Sequence, residues 1–222
     1  MKMKTKLFDG WTLPENEVHL PIWMASNNDR RDGRLTYQAH KYDAAMKRVT
    51  ERTTAIDVGG HTGMWSWLMA KDFGQVIAFE PVALHRKCFE ANTAECKNVI
   101  LHPYALGETH GHVQMRTWTE GSSGDTGVDP DVEGDTPMIR LDDMTFERVG
   151  LIKIDCEGYE ANVVKGARDT IVIHKPIIIV EQKGAMCGRY GIGLLDAVTF
   201  LESLGMKRRD IISGDFIMDW AE

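Results

Sequence analysis

The sequence predicts an α/β fold: a seven-stranded, mostly parallel sheet with helices on both faces and an antiparallel last strand. Three observations carry this. Short apolar runs, Thr54 to Val58, Gln75 to Phe79 and Asn98 to Leu101, alternate with the helical stretches Met64 to Lys71 and Ala83 to Cys96. Such a rhythm marks parallel strands joined by helical crossovers, and the right-handed crossover rule leaves few topologies. The rhythm resumes with Leu151 to Asp155, a helix from Glu160 to Thr170, Ile177 to Val180 and a helix from Leu194 to Leu204. Finally, Ser213-Gly214 alone separates Lys207 to Ile212 from Asp215 to Trp220, a connection short enough to be a hairpin.

The flanking segments read differently. Residues 1–36 have no clean period and contain Trp11, Pro14, Pro21 and Trp23, which predicts an irregular N-terminal cap with one or two short strands. The main domain is assigned to 37–222. It begins with an amphipathic helix over Tyr37 to Val49, where Tyr42, Ala45, Met46 and Val49 recur at helical spacing. Val113 to Trp118 and Met138 to Leu141 are strand-like. The Gly-, Asp- and Ser-rich stretch Thr119 to Thr136 between them reads as one long loop, a length that is usually functional. With the cap, it is the expected acceptor pocket.

Composition narrows the function. The 222 residues are 43% hydrophobic and 27% charged, ordinary for a globular chain, and the net charge of −7 disfavours a grip on duplex nucleic acid. The basic runs Arg30-Arg31 and Lys207-Arg208-Arg209 are interrupted by acids. Cys88, Cys96, Cys156 and Cys187 include no CxxC pair, and His110-Gly111-His112 lacks a partner ligand, so no metal site is assigned. Lys2, Lys4 and Lys6 are followed at once by Asp9 and Gly10 rather than by an apolar stretch, and Pro176 to Val180 is too short to cross a bilayer. A cytoplasmic protein without a membrane partner is expected.

The strongest local signal is Ala55-Ile56-Asp57-Val58-Gly59-Gly60-His61-Thr62-Gly63, a buried strand running through a glycine-rich turn into a helix. Glycines are needed where the backbone bends sharply or a ligand approaches it closely. Glu80 ends the next strand, 21 residues after Gly59, where a carboxylate can accept both hydroxyls of a ribose. Two features separate a nicotinamide cofactor from S-adenosylmethionine. The GxGxxG fingerprint fails at His61 and Met64, and Asp57 before the turn repels a pyrophosphate but attracts an ammonium and a sulfonium.

A second cluster, Ile152-Lys153-Ile154-Asp155-Cys156-Glu157-Gly158-Tyr159-Glu160, puts Lys153 and Asp155 on one face of a strand. Asp155 ends that strand at the carboxyl edge of the sheet, where open α/β folds bind ligands. Glu157 crowds the same edge, and Glu181 ends the neighbouring strand.

With these segments in order, the chain resembles the FkbM-type methyltransferases over roughly residues 53 to 219. The marks are Ile56-Asp57-Val58-Gly59, Ala78-Phe79-Glu80-Pro81, Asn92, Tyr104-Ala105-Leu106-Gly107, Leu141-Asp142-Asp143-Met144, the block Ile152 to Glu160, Val164-Lys165-Gly166-Ala167 and Pro176 to Glu181. The resemblance implies a Rossmann-like class I methyltransferase fold, S-adenosylmethionine as methyl donor and, commonly, a hydroxyl as acceptor. It implies cofactor roles for Asp57, Gly59, Gly63 and Glu80. The turn and the neighbouring strand ends add Gly60, His61, Thr62, Pro81, Tyr104, Ala105 and Asp155. The chain departs from the family at Gly60-His61, where Ala-Asn is common, and at Cys156, where Val is usual.

Methylating a hydroxyl calls for a general base beside the methyl. The candidates are Asp155, then Glu181, Glu157 and His61, acting on a small-molecule or saccharide acceptor. Three other readings stand beside this one. They are a nicotinamide-dependent oxidoreductase, an RNA ribose methyltransferase using Lys153 and Asp155, and a non-catalytic binding domain of the same fold.

Overall fold

The computed structural model describes residues 3–182 and 186–220. Lys2 and the outer ends of the two predicted segments, residues 1 and 222, lie outside the described residues.

Strands β1 (Thr5–Phe8) and β2 (Trp11–Pro14) form a hairpin, followed by helix α1 (His19–Asn27). A small hairpin, β3 (Arg30–Arg31) and β4 (Arg34–Leu35), leads to α2 (Ala39–Met46). The alternating part runs β5 (Thr54–Val58), α3 (Met64–Met69), β6 (Gln75–Phe79), α4 (Ala83–Asn92) and β7 (Val99–His102). Then come β8 (Ala105–Leu106), β9 (Gly111–Thr117), β10 (Thr126–Asp129) and β11 (Thr136–Ile139). The chain continues through β12 (Val149–Ile154), α5 (Glu160–Gly166), α6 (Arg168–His174), β13 (Ile177–Glu181), α7 (Asp196–Ser203), β14 (Met206–Ile212) and β15 (Asp215–Trp220).

Seven of these strands make the predicted sheet, in the order β14-β15-β13-β12-β5-β6-β7. The pairs among β13, β12, β5, β6 and β7 are parallel, whereas β15 runs antiparallel to both β13 and β14. Its two faces are sorted by the period-2 rule. Ile56, Ile152 and Ile178 pair across three strands and pack against Val164 of α5 and Leu201 of α7. Ala55, Leu151 and Ile177 pair on the opposite face with the layer of α2, α3 and the N-terminal segment. Burying each of the isoleucine, leucine and valine side chains among them contributes about 1.5–3 kcal/mol. A one-residue slip would drive Asp57 and Lys153, which pair in register, into the α5/α7 layer, so the register is strongly specified.

Three sequence expectations need correction. Residues 19–27 form a helix, which the absent period hid. Pro21 sits in its first turn, where a missing N–H costs little, and Asn28 closes it at φ 49°. The stretch Thr119 to Thr136 is not one loop, because β10 lies within it and pairs antiparallel with β9. The helix expected over 160–170 is two, α5 and α6. A Cβ on Gly166 would fall 1.9 Å from the Gly107 carbonyl oxygen, so only glycine permits that approach at the end of α5.

The N-terminal segment is fastened to the sheet domain. Trp11 is fully buried, packs edge-on to Trp67 with centroids 5.2 Å apart, and donates Nε1–H to the Leu35 carbonyl at 2.6 Å. Asn92 of α4 accepts from the Thr12 N–H at 2.7 Å and donates to the carbonyls of Thr12 and Thr62, stitching β2 to the glycine-rich turn. Among the described residues no helix is long and apolar enough to cross a membrane.

Candidate active site

The site opens at the carboxyl ends of β5, β6, β12 and β13. Leaving β5, the N–H groups of Gly59 and Gly60 both donate to the Phe79 carbonyl at 3.0 Å, and Gly59 and Gly63 take positive φ. A Cβ at Gly59 would lie 2.0 Å from the Asp155 carbonyl oxygen, so glycine alone lets this turn reach the end of β12. His61 also has positive φ, at 47°. Its N–H donates to Glu80 Oε2 at 2.8 Å, while Glu80 Oε1 accepts from Val82 N–H at 2.7 Å. The carboxylate that ends β6 is thereby fixed against the turn.

One cavity gathers most of the residues singled out in the sequence. Gly59, Gly60, His61 and Thr62 line it from the turn, and Glu80, Pro81, Tyr104 and Ala105 from the next two strand ends. Lys153, Asp155, Glu157 and Glu181 line it from β12 and β13. Among the described residues, the carboxylates of Asp155, Glu157 and Glu181 bring oxygens within 4.8 Å of one another, a spacing that one cation can bridge.

Asp57 and Gly63 do not line the cavity. Asp57 is fully buried beneath it, accepting from Ser66 Oγ at 2.7 Å with Lys153 Nζ at 3.8 Å. Burial pushes its carboxyl up, partly offset by Lys153 and the Ser66 hydrogen bond. This corrects the electrostatic expectation: Asp57 points into the layer of α3, where Lys153 offsets its charge, and the acidic mouth consists of Glu80, Asp155, Glu157 and Glu181. Lys153 also pairs with Asp155 at 3.3 Å. Burial works against its ammonium, but Asp155 and Asp57 overcome that and hold it above its ordinary value.

Ser122 to Val128 and, from the cap, His19 and Leu20 of α1 also contribute to the wall, as does Trp65 of α3; Tyr37 before α2 is a wall residue that no sequence signal marked. No local signal marks Glu17 either, whose buried carboxylate meets Ser123 across 106 positions of sequence.

The family model of the methyltransferase FkbM domain matches residues 57–207, more than half of the chain. The chain belongs to the FkbM methyltransferase family. It is similar to a crystal structure of methyltransferase FkbM from Methylobacillus flagellatus, at 19% identity and TM-score 0.50 over 77% of this chain. It spans only 44% of that relative's length. A precorrin-6y C5,15-methyltransferase from Geobacter metallireducens matches at 13% identity and TM-score 0.50, over 88% of this chain and 95% of its own. A Streptococcus mutans protein assigned as a methyltransferase and solved with SAH matches at 9% identity and TM-score 0.51, over 81% and 94%. No curated protein matches the chain. The fold is that of the class I, Rossmann-like methyltransferases.

In this FkbM chain the block after β12 turns through Glu157 (φ 52°) and Gly158 (φ 100°). Glu160, buried at the start of α5, braces the turn by accepting the N–H groups of Cys156 at 2.8 Å and Gly158 at 3.0 Å. Burial raises its carboxyl to about 7, against the two N–H donors. A carboxyl raised on folding gives stability that is full below its unfolded value and is lost as pH rises through the folded one. Glu160→Gln keeps an acceptor oxygen and removes that titration. Relative to wild type, the variant's unfolding free energy is expected to rise between pH 5 and 8, by about 3 kcal/mol in total. Denaturant titrations at both pH values check this, and parallel wild-type and variant curves would refute it.

Proposed function

We propose that this protein transfers a methyl group from S-adenosylmethionine to a hydroxyl oxygen of a small molecule or sugar. The observation that carries the reading is the Glu80 carboxylate fixed against the 59–63 turn, in a cavity that also holds orphaned polar atoms. Among the described residues, Thr62 Oγ1 and Trp65 Nε1 are buried on its wall without a hydrogen-bond partner. Buried polar groups left unpaired await a ligand or water. The cofactor fits these features, because its ribose hydroxyls suit a carboxylate and its own carboxylate suits a hydroxyl and an indole N–H.

In this reading Glu80 and His61 hold the ribose, Gly59, Gly60, Thr62 and Trp65 the amino-acid end, and Pro81, Tyr104 and Ala105 the base. Gly63 sets the turn, and Asp57 supports it from below through Ser66 and Lys153. When bound, S-adenosylmethionine supplies a methyl already activated on a sulfonium. The chain's task is then to orient the acceptor and take its proton. Asp155 is the proposed base, with Glu181, Glu157 and His61 as the other candidates. Carboxylates beside Tyr37 and Tyr159 also suit a polyhydroxylated acceptor. Residues 37–222 serve as the methyltransferase domain with 1–36 as its cap, working in the cytoplasm, a setting supported by four free cysteines.

The cofactor is tested by thermal melting with S-adenosylmethionine and with NAD. Stabilisation by the first alone is expected, and stabilisation by NAD alone would overturn the reading. Glu80→Ala is expected to weaken binding about 100-fold, the loss of two hydrogen bonds to a charged group at about 1.5 kcal/mol each. Titration calorimetry reads it, and an unchanged Kd would remove Glu80 from the site. A tritium-transfer screen with labelled donor against acceptor pools identifies the acceptor, and transfer only to amines or carbon would exclude a hydroxyl.

A further inference from the structure

The cap, the β9–β10 loop and the glycine-rich turn meet in one chain of hydrogen bonds. Glu17, 1% exposed, accepts three donors: the Ser123 N–H at 2.6 Å, the Ser123 hydroxyl at 2.5 Å and the Leu20 N–H at 2.8 Å. Ser123 Oγ in turn lies 2.8 Å from His61 Nε2. The Gly121 carbonyl accepts from Val18 N–H at 2.8 Å and His19 N–H at 3.3 Å, so the loop also caps the start of α1 and cannot drift from Glu17.

A serine hydroxyl has one proton. If it goes to the carboxylate of Glu17, which when ionised can only accept, Ser123 Oγ can offer His61 only a lone pair. His61 must then carry its own proton on Nε2, which leaves Nδ1 as an acceptor. We propose that Glu17 and Ser123 are positioning residues that lock His61 in the Nε2–H form, so that its Nδ1 accepts a hydrogen bond from a substrate hydroxyl in the cavity. The partner must be a donor, and hydroxyls are what the proposed reaction brings: those of the cofactor ribose and that of the acceptor. The His61 backbone N–H already rests on Glu80, the proposed ribose acceptor. The inference depends on the methyltransferase reading only for the identity of that hydroxyl.

The rest of the surroundings agree. The His85 ring stands edge-on to His61, centroids 4.5 Å apart, with its Nδ1 3.4 Å from Glu80 Oε1. Burial first and His85 second press His61 well below its ordinary value, against a smaller pull from Asp155. A neutral ring adds no repulsion beside a sulfonium.

Two readouts on the full chain test the proposal. The first is 15N NMR of ring-labelled histidine, assigned through His61→Gln. It should show one neutral tautomer, protonated at Nε2, in the wild type at pH 7, a mixture in Ser123→Ala and in Glu17→Gln, and restoration in Ser123→Thr. A wild-type His61 protonated at Nδ1, or a Ser123→Ala spectrum like the wild type's, overturns the proposal. A loop that merely loosens would not restore with threonine. The second readout is affinity. Ser123→Ala should lose about tenfold, the value of one hydrogen bond. A loss in the Kd for SAH assigns the ribose hydroxyl, and a rise in acceptor KM alone assigns the acceptor. A tautomer change with neither loss overturns the hydroxyl contact. A wild type that binds no SAH would refute the cofactor, and the NMR result would still decide the relay.

Discussion

Asp155→Asn is expected to slow methyl transfer by about 10²–10⁴-fold while changing cofactor affinity far less, the usual worth of a general base. Asp155 ends β12 on the cavity wall beside Lys153, so the amide keeps the shape and loses the proton acceptor. Single-turnover rates with labelled donor, beside the Kd for SAH, separate the two effects. Glu181→Gln, Glu157→Gln and His61→Gln run in parallel rank the candidates. Undiminished turnover in Asp155→Asn with intact binding would pass the role to whichever of these variants fails. If all four retain the rate, the acceptor arrives already ionised or proximity alone suffices. In-line alignment at about 3–3.5 Å can supply much of the barrier reduction.

The sheet was legible because its central strands are largely apolar on both faces and bounded by turn residues, a pattern that survives without any partner in view. Thr54–Val58, Gln75–Phe79 and Asp215–Trp220 were read to the residue. Helix α1 was not legible, since its start is capped by the Gly121 carbonyl, about a hundred residues away in sequence, and the nearby Glu17 that accepts from the Leu20 N–H is itself held by the equally distant Ser123. Strand β10 hid for a related reason. Thr126-Gly127-Val128-Asp129 has little strand propensity of its own and is held by its ladder to β9. At the site, motif spacing brought Gly59 to Thr62, Glu80 and Asp155 to one cavity but misjudged Asp57. Sequence gives a charge its position along a strand, and only the neighbouring strand decides whether that charge is answered. Here Lys153 answers it in register.

That buried charge pairing yields the largest stability effect. Lys153→Met removes the ammonium from a site where Lys153 is 3% exposed and Asp57 is fully buried, leaving the Asp57 carboxylate with the Ser66 hydrogen bond but without the 3.8 Å ion pair that answers its charge. Breaking a buried pair from one side costs about 3–5 kcal/mol, because the stranded charge keeps its desolvation penalty. The double variant Lys153→Met/Asp57→Asn should recover a large part of that loss, since asparagine can still accept from Ser66 without carrying a charge. Urea unfolding of wild type, both single variants and the double variant closes the cycle. A coupling energy near zero would mean that Lys153 is held by Asp155 alone. The two carboxylates do different work in the proposal. The bond to Asp57 is structural, whereas the bond to Asp155 ends at the reacting edge. Lys153→Met should therefore cost turnover as well as stability, and the double variant should restore stability without restoring turnover. If turnover returned together with stability, the ammonium would matter to the reaction only by keeping β5 and β12 folded.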